Sequence, residues 1–287
     1  MTAAPPLSSA LAEGANSVDG WQALLQLRLQ KINNRTCLLP QQRLGPLTVQ
    51  RPFYPEGDTC HVYLLHPPGG VVGGDQLRLD VEVRAGAHGL ITTPGASKFY
   101  RSAGKTAGLQ QQFNVDGDAI LEFLPQENIY FPATEVSSKI DVNLAASAKY
   151  AGWEIHSFGL PANEADLSAG NVQLKTEIKI AGRLLLHDQL KINEIESGRL
   201  SGLRGNRVYG SFVVVSPMIN DELSAALQAI QVEQGLSGVS RVEENILVAR
   251  YLGDSTAAAH NYFRQLWMMS RPVALGVKAC TPRIWNT

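Results

Sequence analysis

Gln76-Leu-Arg-Leu-Asp-Val-Glu-Val-Arg-Ala-Gly-Ala-His88 is the segment on which the fold turns. Leu77, Leu79, Val81 and Val83 alternate with Gln76, Arg78, Asp80 and Glu82. That period of two puts one face of a strand on a core and the other in water. Past Val83 the alternation gives way to a short link that ends in the small residue Ala87. The pattern Val83-x-x-x-Ala87-His88 returns as Val115-x-x-x-Ala119-Ile120, Leu144-x-x-x-Ala148-Lys149 and Ile178-x-x-x-Gly182-Arg183, at offsets of 32, 29 and 34 residues. Such spacing has two readings. Stacked coils would each bury their apolar face against the next coil. A chain of hairpins would also show turns at loosely similar intervals. The spacing alone leaves both open.

The same alternation spreads outward from this segment. Leu25, Leu27 and Leu29 alternate with Gln26, Arg28 and Gln30, and Ile178 and Ile180 with Glu177 and Lys179. Gly and Pro punctuate the runs at Pro67-Pro68-Gly69-Gly70, Gly73-Gly74, Thr93-Pro94-Gly95 and Asp116-Gly117-Asp118, as turns require. From Trp21 to about Val215 the chain reads as strands. After the strand Val208–Val215, Asn220-Asp221-Glu222-Leu223 carries an N-cap and an acidic first turn. Leu223, Leu227 and Ile230 then share one helix face, and Gly235 is placed to close it. Ile246–Leu252 reads as a further strand. Asp254-Ser255 caps a second helix predicted to run to Arg271-Pro272, with Tyr262, Leu266 and Met269 along one stripe. The expectation is a mainly β protein with two α-helices near its C-terminus. Residues 1–20, rich in Ala, Ser and Pro, read as a flexible tail, and 21–287 as a single domain.

Composition narrows the function classes. The 25 Lys and Arg nearly cancel 26 Asp and Glu, and 44% of the chain is hydrophobic against 18% charged, a globular balance. No Lys/Arg cluster suits neutralising a run of phosphates, so no nucleic-acid partner is expected. No stretch approaches the ~18 apolar residues of a membrane helix, and no leader pattern stands at the N-terminus. Cys37, Cys60 and Cys280 are odd in number and far apart, which suits reduced thiols and a cytoplasmic location.

Four segments stand out as candidate chemistry. His66–Asp75 carries four glycines and ends in Asp75, without the Gly-Lys-Ser/Thr of a phosphate loop. Thr92–Arg101 gathers hydroxyls, Ser97, Lys98 and Arg101 around a tight turn. Leu124–Pro132 sets Glu127 between apolar anchors. In Trp153-Glu-Ile-His156, Glu154 and His156 share a strand face; if that face is internal, both must be paired or wet. The six histidines form neither HxH nor HxxxH, so no tight metal site is predicted.

Taken together, His66-x-Pro-Gly-Gly-x-Val-Gly-Gly-Asp75, Thr92-Thr-Pro-Gly-x-x-Lys-Phe-Tyr-Arg-Ser102, Leu121-Glu-x-Leu-Pro-Gln-Glu-Asn-Ile129 and Pro282-Arg-Ile-Trp-Asn-Thr287 resemble the urease accessory protein D family (UreD, also called UreH). Pro67 departs from the small hydroxyl residue often found there. The resemblance implies a β-helical, solenoid-like stack, which favours the stacked-coil reading. It also implies a non-catalytic maturation scaffold. Such a scaffold binds apo-urease, accessory protein F and the accessory GTPase G, with nickel in transit rather than permanently bound. Six polar residues are implied for a metal passage: Asp75, Ser97, Lys98, Glu127, Glu154 and Asp188. Arg283 and Trp285 are implied for docking a partner, with Trp285 in the chain's own core as the other reading. The alternative function is a β-solenoid hydrolase using carboxylates such as Asp75, Glu127 or Asp188.

Overall fold

The computed structural model describes residues 20–40, 42–160 and 166–286; of the expected flexible tail, residues 1–19 lie outside this range. The first element of the described residues is β1 (Gln22–Ile32), which turns back through Asn33 and Asn34, both at positive φ, into β2 (Arg35–Leu38). This is the two-residue turn whose twist matches paired strands. Short β3 (Gln42–Leu44) and β4 (Thr48–Val49) lead to β5 (Cys60–Leu65). Three coils follow: β6 (Gln76–Val83), β7 (His88–Thr92) and β8 (Ser97–Phe99); β9 (Ala107–Val115), β10 (Ile120–Phe123) and β11 (Asn128–Tyr130); β12 (Glu135–Leu144) and the long β13 (Lys149–Phe158). Then come β14 (Asn171–Ile180), β15 (Arg183–Asn193), α1 (Glu194–Gly198), β16 (Val208–Val215), α2 (Asp221–Gln228), β17 (Leu236–Glu243), β18 (Ile246–Gly253) and α3 (Thr256–Ser270).

These strands build two facing sheets. The first has the order β15-β14-β12-β9-β6-β1-β2 with β3 also on β1, and the second β17-β18-β16-β13-β10-β7-β5-β4, with β11 pairing β13 and β8. Strands of successive coils pair in parallel, β6 with β9 and β9 with β12 in the first sheet, β7 with β10 and β10 with β13 in the second. The stacked-coil reading therefore holds for the heart of the molecule.

The repeat in the sequence is the corner between the sheets. Ala87, Ala119 and Ala148 each donate an amide hydrogen three residues back, to Arg84, Asp116 and Ala145 at 2.9, 3.2 and 3.0 Å. All three alanines are buried. A larger side chain would have nowhere to go where one sheet bends into the other. The ladder crosses the corner unbroken, since Asp116 N bonds Val83 O and Ala145 N bonds Val115 O, both at 2.9 Å. Val83 stands opposite Val115 and Val115 opposite Leu144, the expected offsets of 32 and 29. The third expectation fails. Leu144 stands opposite Ile180, 36 residues on, rather than Ile178. Ala181 and Gly182, both at positive φ, make no fourth corner. They form a hairpin turn that sends β15 back antiparallel to β14.

Two apolar layers result. Between the sheets lie Leu25, Leu79, Val81, Phe113 and Val142, all at most 2% exposed. On the outer face of the second sheet, Trp153 and Phe212 meet Tyr262, Phe263, Leu266 and Trp267 of α3. Both expected helices form. Asn220 Oδ1 accepts from Leu223 N at 2.8 Å, and Ser255 Oγ from Ala258 N at 3.1 Å. Three details differ. The second expected stripe loses Met269, which is exposed, while Phe263 and Trp267 are buried. Helix α3 ends at Ser270, where Arg271–Leu275 widens into a π-helical turn beginning just before Pro272; proline supplies no amide hydrogen for the α-helical ladder. The cap of α2 is Ala229, not Gly235. Gly235 instead leads into β17 at φ +99, with Leu252 O only 2.6 Å from where a Cβ would stand. Among the described residues no helix is long and apolar enough to cross a membrane.

Candidate functional site

Period-two strands facing one another should line the space between them with apolar residues alone. Here three consecutive strands of the first sheet break that rule. Gln111 sits in the inward phase of β9 between Leu109 and Phe113, Ser138 in that of β12 between Val136 and Ile140, and Thr176 in that of β14 between Leu174 and Ile178. The register sets Gln111, Ile140, Thr176 and Asp188 side by side across β9, β12, β14 and β15. The second sheet answers with two polar rows. One runs Ser97, Asn128, His156 and Tyr209 across β8, β11, β13 and β16; the other runs Glu154, Ser211 and Arg250 across β13, β16 and β18. A polar seam thus crosses the coils between the sheets.

At one end the seam meets a cavity of about 440 Å³. Its walls are largely Leu and Phe side chains, with Gln111, Asn128 and Glu154 among the lining residues, and its rim is formed by the His66–Gly70 and Thr93–Lys98 loops. All four segments that stood out in the sequence therefore converge on one hollow. The rim packs tightly: a Cβ on Gly70 would fall 2.2 Å from the Tyr100 ring. At the other end Asp188 and Arg250 pair at 2.7 Å with side chains 30% and 35% exposed, so the seam reaches the surface there.

The electrostatics follow from burial. Glu154 accepts from Thr176 Oγ1 at 3.1 Å. Desolvation still pushes its carboxyl up to about 7, the neighbouring Asp188 charge adds to the effect, and Arg250 opposes it. The His156 imidazole is driven down to about 3 by burial and is neutral. Its Nδ1 lies 3.0 Å from the Tyr130 hydroxyl and its Nε2 3.7 Å from Glu154 Oε1. Gln111 Oε1 and Ser138 Oγ are buried and find no hydrogen-bond partner among the described residues. Buried polar atoms are normally satisfied, and these two orphans stand on neighbouring strands of the seam; the others among the described residues, on His61, Tyr251, His260 and Arg264, lie outside it. Among the described residues no three His, Cys, Asp or Glu side chains converge in a metal-holding geometry. The seam offers scattered oxygen acceptors, the donor type that hard divalent cations prefer.

The six residues implied for a passage divide accordingly. Ser97, Glu154 and Asp188 lie on the seam. Lys98 sits at the exposed rim of the cavity. Asp75 is elsewhere: its Oδ1 accepts from Trp21 N at 2.8 Å and its Oδ2 from Val72 N at 2.9 Å, tying β1 to the glycine-rich turn. Glu127 points outward to α3, where Oε2 meets His260 Nε2 at 2.9 Å. Asp75, Glu127 and Asp188 therefore occupy three separate places, which gives the hydrolase alternative no carboxylate pair among them. Trp285 lies in the chain's own core, 7% exposed, its ring beside Trp153 and Trp267 and its Nε1 donating to Thr92 Oγ1 at 2.9 Å; Arg283 is exposed. Sequence reasoning missed Gln111, Asn128, Ser138, Thr176 and Arg250. For three of them the signal was present, as a polar residue in the apolar phase of successive strands.

Comparison with known proteins identifies the family. The profile of the UreD urease accessory protein family matches residues 22–286. Curated proteins named urease accessory protein UreD are similar along nearly the whole chain. That of Aliivibrio fischeri is 39% identical over 282 residues, covering 94% of this chain and 98% of the relative. That of Klebsiella aerogenes is 38% identical over 268 residues, covering 93% and 97%, and that of Alcanivorax borkumensis 40% over 276 residues, covering 93% of each. With this coverage of both chains, the protein belongs to the UreD urease accessory protein family.

Proposed function

We propose that this chain is a non-catalytic scaffold of urease maturation, which binds apo-urease together with accessory protein F and the accessory GTPase G. Nickel is its cargo, and the polar seam is the route. The observation that carries the reading is the line of acceptors Gln111, Asn128, Glu154, Thr176 and Asp188, which joins an open cavity to a surface ion pair through an otherwise apolar interior. A dry interior makes a bare cation very costly. Ligand oxygens spaced along a line lower that cost, while the scarcity of imidazole and thiolate donors keeps the ion from being trapped.

The test uses cells carrying a urease operon from which this gene is deleted. Wild-type protein is expected to restore nickel-dependent urease activity. Glu154→Ala and Asp188→Ala are expected to fail while still capturing accessory protein F in a pull-down. Failure of the wild type to restore activity sinks the maturation reading. Full restoration by both variants sinks the seam as the route.

A further inference from the structure

The outer part of the seam carries a charge arrangement that a plain cation route does not need. Glu154 and Asp188 approach from opposite sheets closely enough for the Asp188 charge to act on Glu154, and a guanidinium stands with them. Arg250 donates through Nη2 to Asp188 Oδ2 at 2.7 Å and through Nη1 to Ser211 Oγ. Ser211 is the cross-strand neighbour of both Glu154 and Arg250. Tyr209, two residues from Ser211 on the same strand, lies within the electrostatic reach of Arg250, Asp188 and Glu154. Glu154 has Thr176 as its hydrogen-bond donor and feels Arg250 only through space.

We infer that Arg250 is the resident counter-ion of the seam, holding with its guanidinium the place against Asp188, within electrostatic reach of Glu154, that a divalent cation takes in transit. The inference rests on the passage reading above and adds to it a gate. A guanidinium stays charged at any physiological pH, so Arg250 cannot yield its place by losing a proton; it must swing away from Asp188. Its side chain is 35% exposed, which leaves room outward. The displaced guanidinium returns once the cation has left, so the two carboxylates never face each other uncompensated and never hold the metal for good. A like-charged pair without a counter-ion would otherwise bind a divalent ion tightly or protonate.

The test is a gain of binding in the purified chain, titrated with Ni²⁺ by calorimetry and with Co²⁺ as a spectroscopic probe. Arg250→Gln is expected to bind one divalent ion at least about tenfold more tightly than wild type, about 1.4 kcal/mol. The gain is expected to vanish in Arg250→Gln/Glu154→Gln and in Arg250→Gln/Asp188→Asn. Arg250→Lys, which keeps the positive charge, is expected to bind as wild type does. Should the glutamine variant aggregate, Arg250→Met keeps the length without the charge and is read the same way. A folded Arg250→Gln or Arg250→Met that binds no more tightly than wild type overturns the inference; so does a gain that survives loss of either carboxylate, or a tenfold gain in Arg250→Lys. Because no urease is present, these results stand apart from the cell-based test: the gate can fail while the maturation reading survives, and the reverse.

Discussion

Two networks of buried charge lie on opposite faces of the second sheet, and they are built to different standards. Against α3, the fully buried Arg271 donates to both oxygens of Glu122 at 3.0 to 3.1 Å from Nε and, through Nη1 and Nη2, to Glu56 at 2.6 and 2.7 Å. Trp267 Nε1 and His88 Nε2 complete Glu122 at 2.6 and 2.7 Å, and His61 Nε2 meets Glu56 at 2.6 Å. Burial alone would raise Glu122, but His88 and the Arg271 charge hold it well below the usual carboxylate range. Between the sheets, by contrast, Glu154 has one hydroxyl donor and a raised pKa, and Gln111 and Ser138 are orphaned. The first network meets each carboxylate with several donors, although His61 Nδ1 within it is left without a partner among the described residues. The second leaves its carboxylate with a single donor.

Substitutions can break or sharpen that contrast. The largest effect is expected from Arg271→Leu, which strands Glu122 and Glu56 and should cost about 3–5 kcal/mol. Arg250→Gln at the half-exposed end of the seam should cost no more than about 1 kcal/mol. Urea denaturation compares the two, and equal losses would erase the distinction. Next comes Glu154. Its carboxyl is raised by burial from the ordinary value to about 7. The folded state therefore holds a proton that the unfolded state has released, and stability falls as pH climbs from about 4.5 to about 7. Glu154→Gln should remove that slope, gaining up to about 3 kcal/mol over wild type at pH 8 and almost nothing at pH 4.5. A pH-independent difference between the two proteins would contradict the burial argument.

A smaller loss is expected at the coil corners. Ala119→Leu overfills a fully buried position and should cost about 1–3 kcal/mol, read as a lower midpoint in urea. Asp75→Ala should cost about 1–2 kcal/mol by orphaning the amides of Trp21 and Val72. Since Asp75 lies off the seam, the cation binding gained in Arg250→Gln should survive adding Asp75→Ala. Loss of that binding would move Asp75 onto the route.

The parts read correctly from sequence share one property, a local pattern with a local cause. Leu77, Leu79, Val81 and Val83 had to face inward because alternation permits one buried face. Ala87, Ala119 and Ala148 marked the corners because only a small residue fits there. Asn220 and Ser255 announced their helices through caps that need three residues to complete. Misreadings came where a distant element decided. Gly182 continues the corner pattern on paper, yet no further strand stacks on β14 in parallel, so the same residues form a hairpin. Glu127 and Asp75 look like Glu154 in composition but bond to α3 and to β1.

By itself, then, the amino-acid order determined the period-two strands, the coil length through the first two offsets, the two principal helices and, by resemblance, the family. Each of these is encoded over a few residues or in motifs that survive as strings. The tertiary structure alone decided which carboxylates share an interior. The seam is assembled from strands up to 153 residues apart, Ser97 to Arg250, and its members meet only because stacking brings successive inward positions into line. Whether a buried charge is saturated or left wanting depends on partners contributed from elsewhere in the chain, and a one-dimensional pattern of polar and apolar residues carries no record of that.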